Sequence, residues 1–128
     1  MMTFSQPNYN IITGKSMAER DEQIKLFQYL KLHPILKDLA FSIPNEAKRS
    51  PILGRLLVRM GLRAGVPDIF VPYSSNGYHG LFIELKWGKN KPTPAQSEFI
   101  QRLLEQGYQA RVCWGADEAI DCIVEYMK

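Results

Sequence analysis

Asp68, Glu84 and Lys86 are the residues of this chain whose types and spacing could do chemistry. They stand in GVPDIFVPYSSNGYHGLFIELKWGK, residues 65–89, where two apolar runs flank a turn. Strand side chains alternate between faces, so Leu81, Ile83, Leu85 and Trp87 are expected on one apolar face. Glu84 and Lys86 then share the other, roughly 7 Å apart along the strand. Asp68 enters from the neighbouring strand at the mouth of the hairpin. Burying an unpaired charge costs several kcal/mol, so such groups persist where they are paired, metal-bound or catalytic. Two carboxylates converging from adjacent strands suit a hard divalent cation such as Mg²⁺, which takes oxygen ligands and keeps waters. The carbonyl of Leu85, between the two side chains, is a natural further ligand. A lysine beside that ion could position or deprotonate an attacking water and stabilise charge on a phosphate.

A plainer reading competes. Glu-x-Lys also occurs at Glu46-Ala47-Lys48, with nothing strand-like around it. A Glu84–Lys86 ion pair on a solvated sheet face would account for that strand alone. Pro67-Asp68, however, is the only Pro-Asp in the chain, and it stands at a strand start sixteen residues before Glu84. The hairpin that brings all three charges together favours chemistry.

The elements that must position them can be read along the chain. A first helix is expected from about Ser16 to Leu32, stopping near Pro34, and LAFSIPN (39–45) as a short strand. Pro51 opens a second helix, PILGRLLVRMGLRAG, which Gly65 is expected to end. Its buried side would be Leu53, Leu56, Leu57 and Met60. DIFVPY and YHGLFIELKW read as strands around SSNG, where Asn76-Gly77 is a hairpin signal. A helix from Pro94 to Gln106 closes at Gly107, YQARVCW is the last strand, and 116–127 the last helix. The order α-β-α-β-β-α-β-α gives an α/β domain with a mixed central sheet of about four strands. Residues 81–114 form a crossover between parallel strands, with the 69–73 and 80–87 pair antiparallel beside it.

A chain of 128 residues fits one domain. Residues 1–15 are expected as a loose arm used in dimer contacts, and 16–128 as the single domain. An apolar fraction of 45% against 23% charged is that of an ordinary globular protein. No apolar run approaches the roughly 20 residues that span a bilayer, and the N-terminus does not read as a signal peptide. Cys113 and Cys122 lie in no Cys/His cluster, which argues against structural zinc. Cys113 reads as a buried hydrophobe, and a reduced, cytoplasmic setting is expected.

The net charge of +3 identifies no partner, but its distribution is informative. Lys48, Arg49, Arg55, Arg59 and Arg63 form a basic stretch with no acid between them, whereas the last helix carries Asp117, Glu118, Asp121 and Glu125. Arg55, Arg59 and Arg63 recur every four residues, so a continuous helix would align them. Such a stripe is often only a solvated face. This one leads into the Gly-Val-Pro-Asp corner, which makes phosphate contact the expectation. Lys48, Arg49, Lys89 and Lys91 extend it on loops, and Asn45 could hydrogen-bond DNA or serve a turn. His33 and His79 read as a helix end and a turn neighbour, not as bases.

GVPDIFV and GLFIELKWGKNKPTPAQ resemble the VRR-NUC nucleases of the PD-(D/E)xK superfamily. Their pattern is a helix with a Glu, Gly-x-Pro-Asp, (Glu/Gln)-x-Lys, and a helix bearing a Gln. The likeness extends from about Glu19 to Trp114. It implies a restriction-endonuclease-like fold, Asp68 and Glu84 as metal ligands and Lys86 as the catalytic lysine. The family's glutamine corresponds to Gln96 and its helical glutamate to Glu19, a further ligand acting through water. Both also fit a plainer role, because Ser16-x-x-Glu19 and Thr93-x-x-Gln96 are capping boxes. The resemblance implies an Mg²⁺-dependent endonuclease, with Mn²⁺ able to substitute. Stand-alone members resemble Holliday-junction resolvases that act on branched DNA as homodimers. The alternatives are a flap or other DNA nuclease of the same chemistry, or a non-catalytic DNA-docking module.

Overall fold

The computed structural model describes residues 15–44 and 50–128. The expected arm, apart from Lys15, lies outside these residues, as do Asn45, Lys48 and Arg49. Helix α1, Met17–Leu32, is followed by a short 3-10 turn, Leu36–Asp38, and strand β1, Phe41–Ser42. Then come α2 (Pro51–Arg59), β2 (Ile69–Val71), β3 (Leu81–Lys86), α3 (Pro94–Glu105), β4 (Gln109–Trp114) and α4 (Gly115–Tyr126). The four strands form one sheet in the order β1-β2-β3-β4. β1 and β3 run antiparallel to β2, and β4 runs parallel to β3. The α/β order and the mixed sheet agree with the sequence reading.

The two faces of β3 differ as alternation demands. Leu81, Ile83 and Leu85 join Ile69, Val71 and Cys113 in a core that also takes Leu26 and Leu30 from α1 and Ile123 from α4. Each large side chain fully removed from water contributes about 1.5–3 kcal/mol. On the other face Phe82 stacks on its register partner Phe70, with ring centroids 4.3 Å apart, and both meet Tyr108 edge-on. Aromatics therefore fill that face near the start of β3, and Glu84 and Lys86 follow toward its end.

The hairpin turn is the expected one. Asn76 and Gly77 have φ of 52° and 83°, and Ser75 pairs with Tyr78 across them. Positive φ at both central residues is what a type I′ turn requires, and Asn-Gly tolerates it. Tyr78 packs near Tyr126. His33 closes α1, its Nδ1 accepting from the Ile35 and Leu36 N–H groups.

Three expectations give way. α2 ends at Arg59 rather than at Gly65, because Gly61 takes the left-handed φ of 110°. The Leu62 N–H then returns to the Leu57 carbonyl at 2.8 Å and the Gly61 N–H to the Val58 carbonyl at 3.0 Å. These paired bonds close a helix and satisfy carbonyls that would otherwise lack donors. Arg63 consequently lies beyond the helix, and only Arg55 and Arg59 share its surface. Nor does α2 have a buried side: none of its residues is buried, and Ile52 is 74% exposed. Trp87 also leaves the apolar face, since β3 stops at Lys86 and the indole is exposed.

Candidate active site

Asp68 is held at the start of β2 from both sides. Its carbonyl accepts the Ile43 N–H at 2.6 Å, which extends the β1–β2 pairing by one step. Its carboxylate crosses to the next strand, where Oδ2 accepts the Leu85 N–H at 2.9 Å. This bond exists because Ile69 stands opposite Ile83, so Leu85 lies just beyond the end of β2. A residue in an antiparallel pair turns its N–H and C=O to the same neighbour. The Leu85 carbonyl thus shares the edge on which the Asp68 carboxylate lies.

Glu84 is 1% exposed and receives two groups on Oε2. Lys86 Nζ lies 3.4 Å away, and Gln96 Nε2 donates at 3.2 Å. Gln96 also closes a capping box on α3. Its Oε1 accepts the Thr93 N–H at 2.9 Å, and Thr93 Oγ1 accepts the Gln96 N–H. The two readings of this residue are therefore compatible, because the amide uses its oxygen for the helix and its nitrogen for Glu84.

Close backbone packing brings α3 to this position. Gly65 has a φ of 88°, and a Cβ there would stand 2.5 Å from the Ala95 carbonyl oxygen. A glycine is required both for the conformation and for the approach. The Gly-Val-Pro-Asp corner thereby presses on the helix turn that carries Gln96.

Asp68, Glu84, Lys86 and Gln96 are thus brought together. Glu19 stands at the N-terminal end of α1, where its Oε1 accepts from Ser16 Oγ at 3.3 Å and Asn90 Nδ2 at 3.5 Å. Among the described residues, no group of three His, Cys, Asp or Glu side chains could hold a metal ion. Glu19 therefore does not complete a three-carboxylate cluster. Lys89 and Lys91 are exposed on the loop after β3, which is tied down where Trp114 Nε1 donates to the Asn90 carbonyl at 2.7 Å. Arg55 and Arg59 are exposed on α2, and Arg63 is exposed between it and β2.

One residue at the site escaped the sequence reading. Lys15 Nζ lies 3.2 Å from Asp68 Oδ1, a pairing across 53 residues that no local pattern announces. Glu22 accepts the Ala116 N–H at 2.8 Å and so caps α4, whose own N-cap, Trp114, supplies no side-chain acceptor.

The donor set fits a hard divalent cation. Asp68 and Glu84 are carboxylates on adjacent strands, and the Leu85 carbonyl adds a third oxygen of the kind Mg²⁺ accepts. A mixed sheet between helices, with this acidic pair and a lysine at one end, defines a nuclease-type α/β domain. The family model for the VRR-NUC domain matches residues 37–117, and the chain belongs to that family, a branch of the PD-(D/E)xK superfamily. A solved structure described as a VRR_NUC domain protein is 33% identical, with a TM-score of 0.73, over 88% of this chain and 89% of its own. Comparison with curated proteins gives no match. No helix among the described residues is long and apolar enough to cross a membrane.

Proposed function

We propose that the chain is a divalent-metal-dependent endonuclease that hydrolyses DNA phosphodiesters and acts on branched DNA as a homodimer, in the manner of a Holliday-junction resolvase. The observation that carries this reading is the bond from the Leu85 N–H to Asp68 Oδ2, with Lys86 against Glu84 one step along the same strand. It joins the two halves of the acidic motif into one centre.

Asp68, Glu84 and the Leu85 carbonyl would hold Mg²⁺ or Mn²⁺, with Glu19 contributing through a water. When bound, the ion lowers the pKa of a coordinated water and offsets charge on the phosphoryl oxygens. Lys86 positions the attacking water and meets negative charge as it grows on the phosphate. Gln96 fixes the Glu84 carboxylate. Arg55, Arg59, Arg63, Lys89 and Lys91 contact phosphates on either side, joined by Lys48, Arg49 and Asn45. The apolar surface of α2 supports association with a second copy. Two centres related by a two-fold axis would suit the symmetry of a four-way junction.

The test is cleavage of labelled four-way-junction, flap and linear duplex DNA with Mg²⁺ or Mn²⁺. Wild type is compared with Asp68→Asn and Lys86→Ala, and its mass is measured by light scattering. Paired symmetric junction nicks by a dimer, absent from both variants, are expected. Equal cutting of flap and duplex would point to a nuclease of different preference. Metal-insensitive junction binding without cleavage would leave only a docking module.

A further inference from the structure

Lys15 is the least expected group at the site. Its ammonium lies 3.2 Å from Asp68 Oδ1, and the two side chains are 11% and 3% exposed, so this is an enclosed pair and not a surface contact. The backbone from which Lys15 departs is fixed. Ser16, the next residue, caps α1: its side chain accepts the Glu19 N–H and its carbonyl accepts the Arg20 N–H at 3.0 Å. The helix start therefore aims the lysine at Asp68.

The two oxygens of Asp68 have different duties. Oδ2 is committed to the Leu85 N–H, while Oδ1 faces the ammonium. Glu84 has its own lysine in Lys86. Among the described residues, two carboxylates thus face two ammonium groups, so the charge of a buried acidic pair is met before any ion arrives. A divalent cation entering beside Asp68 would stand close to the Lys15 charge, and like charges at such range in a water-poor site repel strongly.

We propose that Lys15 is a built-in counter-ion that holds Asp68 Oδ1 and competes with the divalent cation for it, so that loading the site displaces the lysine. This rests on the reading that the acidic pair takes a divalent ion. The lysine keeps the folded chain stable without metal and sets how tightly metal is held.

Mn²⁺ binding to the full chain is measured by titration calorimetry without DNA, for wild type, Lys15→Gln, Lys15→Arg and Lys31→Gln. Lys15→Gln is expected to bind about tenfold more tightly, equivalent to about 1.4 kcal/mol. Lys15→Arg, which keeps the charge, should bind no more tightly than wild type. Lys31→Gln, which removes a charge from the far end of α1, should match wild type. Lys15→Gln should also melt earlier than wild type in chelator but not in saturating Mn²⁺. On the wild-type chain, acetylation of Lys15 read by mass spectrometry should rise when Mn²⁺ is added, which tests displacement even if a variant fails to fold. Unchanged Lys15 reactivity, or wild-type affinity in Lys15→Gln, overturns the proposal while leaving the metal reading intact. A wild-type chain that binds no Mn²⁺ overturns both.

Discussion

The α-carbon of Gly65 faces the carbonyl of Ala95 so closely that a methyl group between them would stand 2.5 Å from the oxygen. The corner before Asp68 and the first turn of α3 are therefore packed backbone to backbone. Gly65→Ala must either distort the left-handed corner or push the helix away, and both displace Gln96 from Glu84. The expected cost is about 2 kcal/mol or more of stability, read from urea unfolding. The surviving folded fraction should bind Mn²⁺ more weakly. Full stability in this variant would contradict the close approach.

Thr93→Ala and Gln96→Ala separate the two duties of the glutamine. Thr93→Ala removes the cap alone and should cost about 1 kcal/mol, with Mn²⁺ affinity unchanged. Gln96→Ala keeps the bond from its own N–H to Thr93 Oγ1 but loses the bond to the Thr93 N–H and the bond to Glu84, so it should shift metal affinity as well as stability. Calorimetric titration beside denaturant unfolding distinguishes them. Identical behaviour of the two variants would reduce Gln96 to a helix cap.

Glu22 is bonded to the start of α4, not to the acidic pair. Gly115 permits this approach, since a Cβ there would stand 3.1 Å from Glu22 Oε1. Glu22→Ala should destabilise the fold by about 1 kcal/mol, in the range of a lost N-cap. Cleavage per folded molecule should be retained. Loss of cleavage at full stability would instead bring Glu22 into the active site.

The two cysteines should differ in reactivity. The neighbouring Cys113 thiol holds the Cys122 thiol below the ordinary thiol range, with Arg111 helping. The same contact, together with burial, pushes Cys113 up. The thiolate is the reactive form, so lowering its pKa raises its fraction at neutral pH. One equivalent of iodoacetamide at pH 7.5 should label Cys122 and spare Cys113, as judged by peptide mass. The rate should reach half its maximum at a lower pH than for a free thiol. Equal labelling of both residues would rule out this division.

The sheet and its acidic pair were legible because their signals are local. Asn76-Gly77 fixes a tight turn, and the period of two in LFIELKW then fixes which face Glu84 and Lys86 share. The end of α2 was not legible. Gly61 and Gly65 both follow the helix within a turn of each other, and only the bond from the Leu62 N–H to the Leu57 carbonyl selects the first. Burial of Leu53, Leu56 and Met60 was inferred from amphipathic spacing, which shows a face but not whether another element covers it. Gln96 was half legible, since the capping box lies within four residues whereas its bond to Glu84 depends on the approach of Gly65. Lys15 carried no signal at all, because its partner is set by tertiary packing.

The bond from Leu85 to Asp68 also has a bearing on safety. It forms only when Ile69 faces Ile83, and a slip of one residue in that pairing turns Glu84 and Lys86 toward the core side. Assembly of the acidic centre and correct pairing of the hairpin are thus one event. A nascent or misfolded copy, lacking that register, does not bring Asp68 and Glu84 together. If the proposed function holds, the chain could cut nucleic acid only after its hairpin has paired correctly.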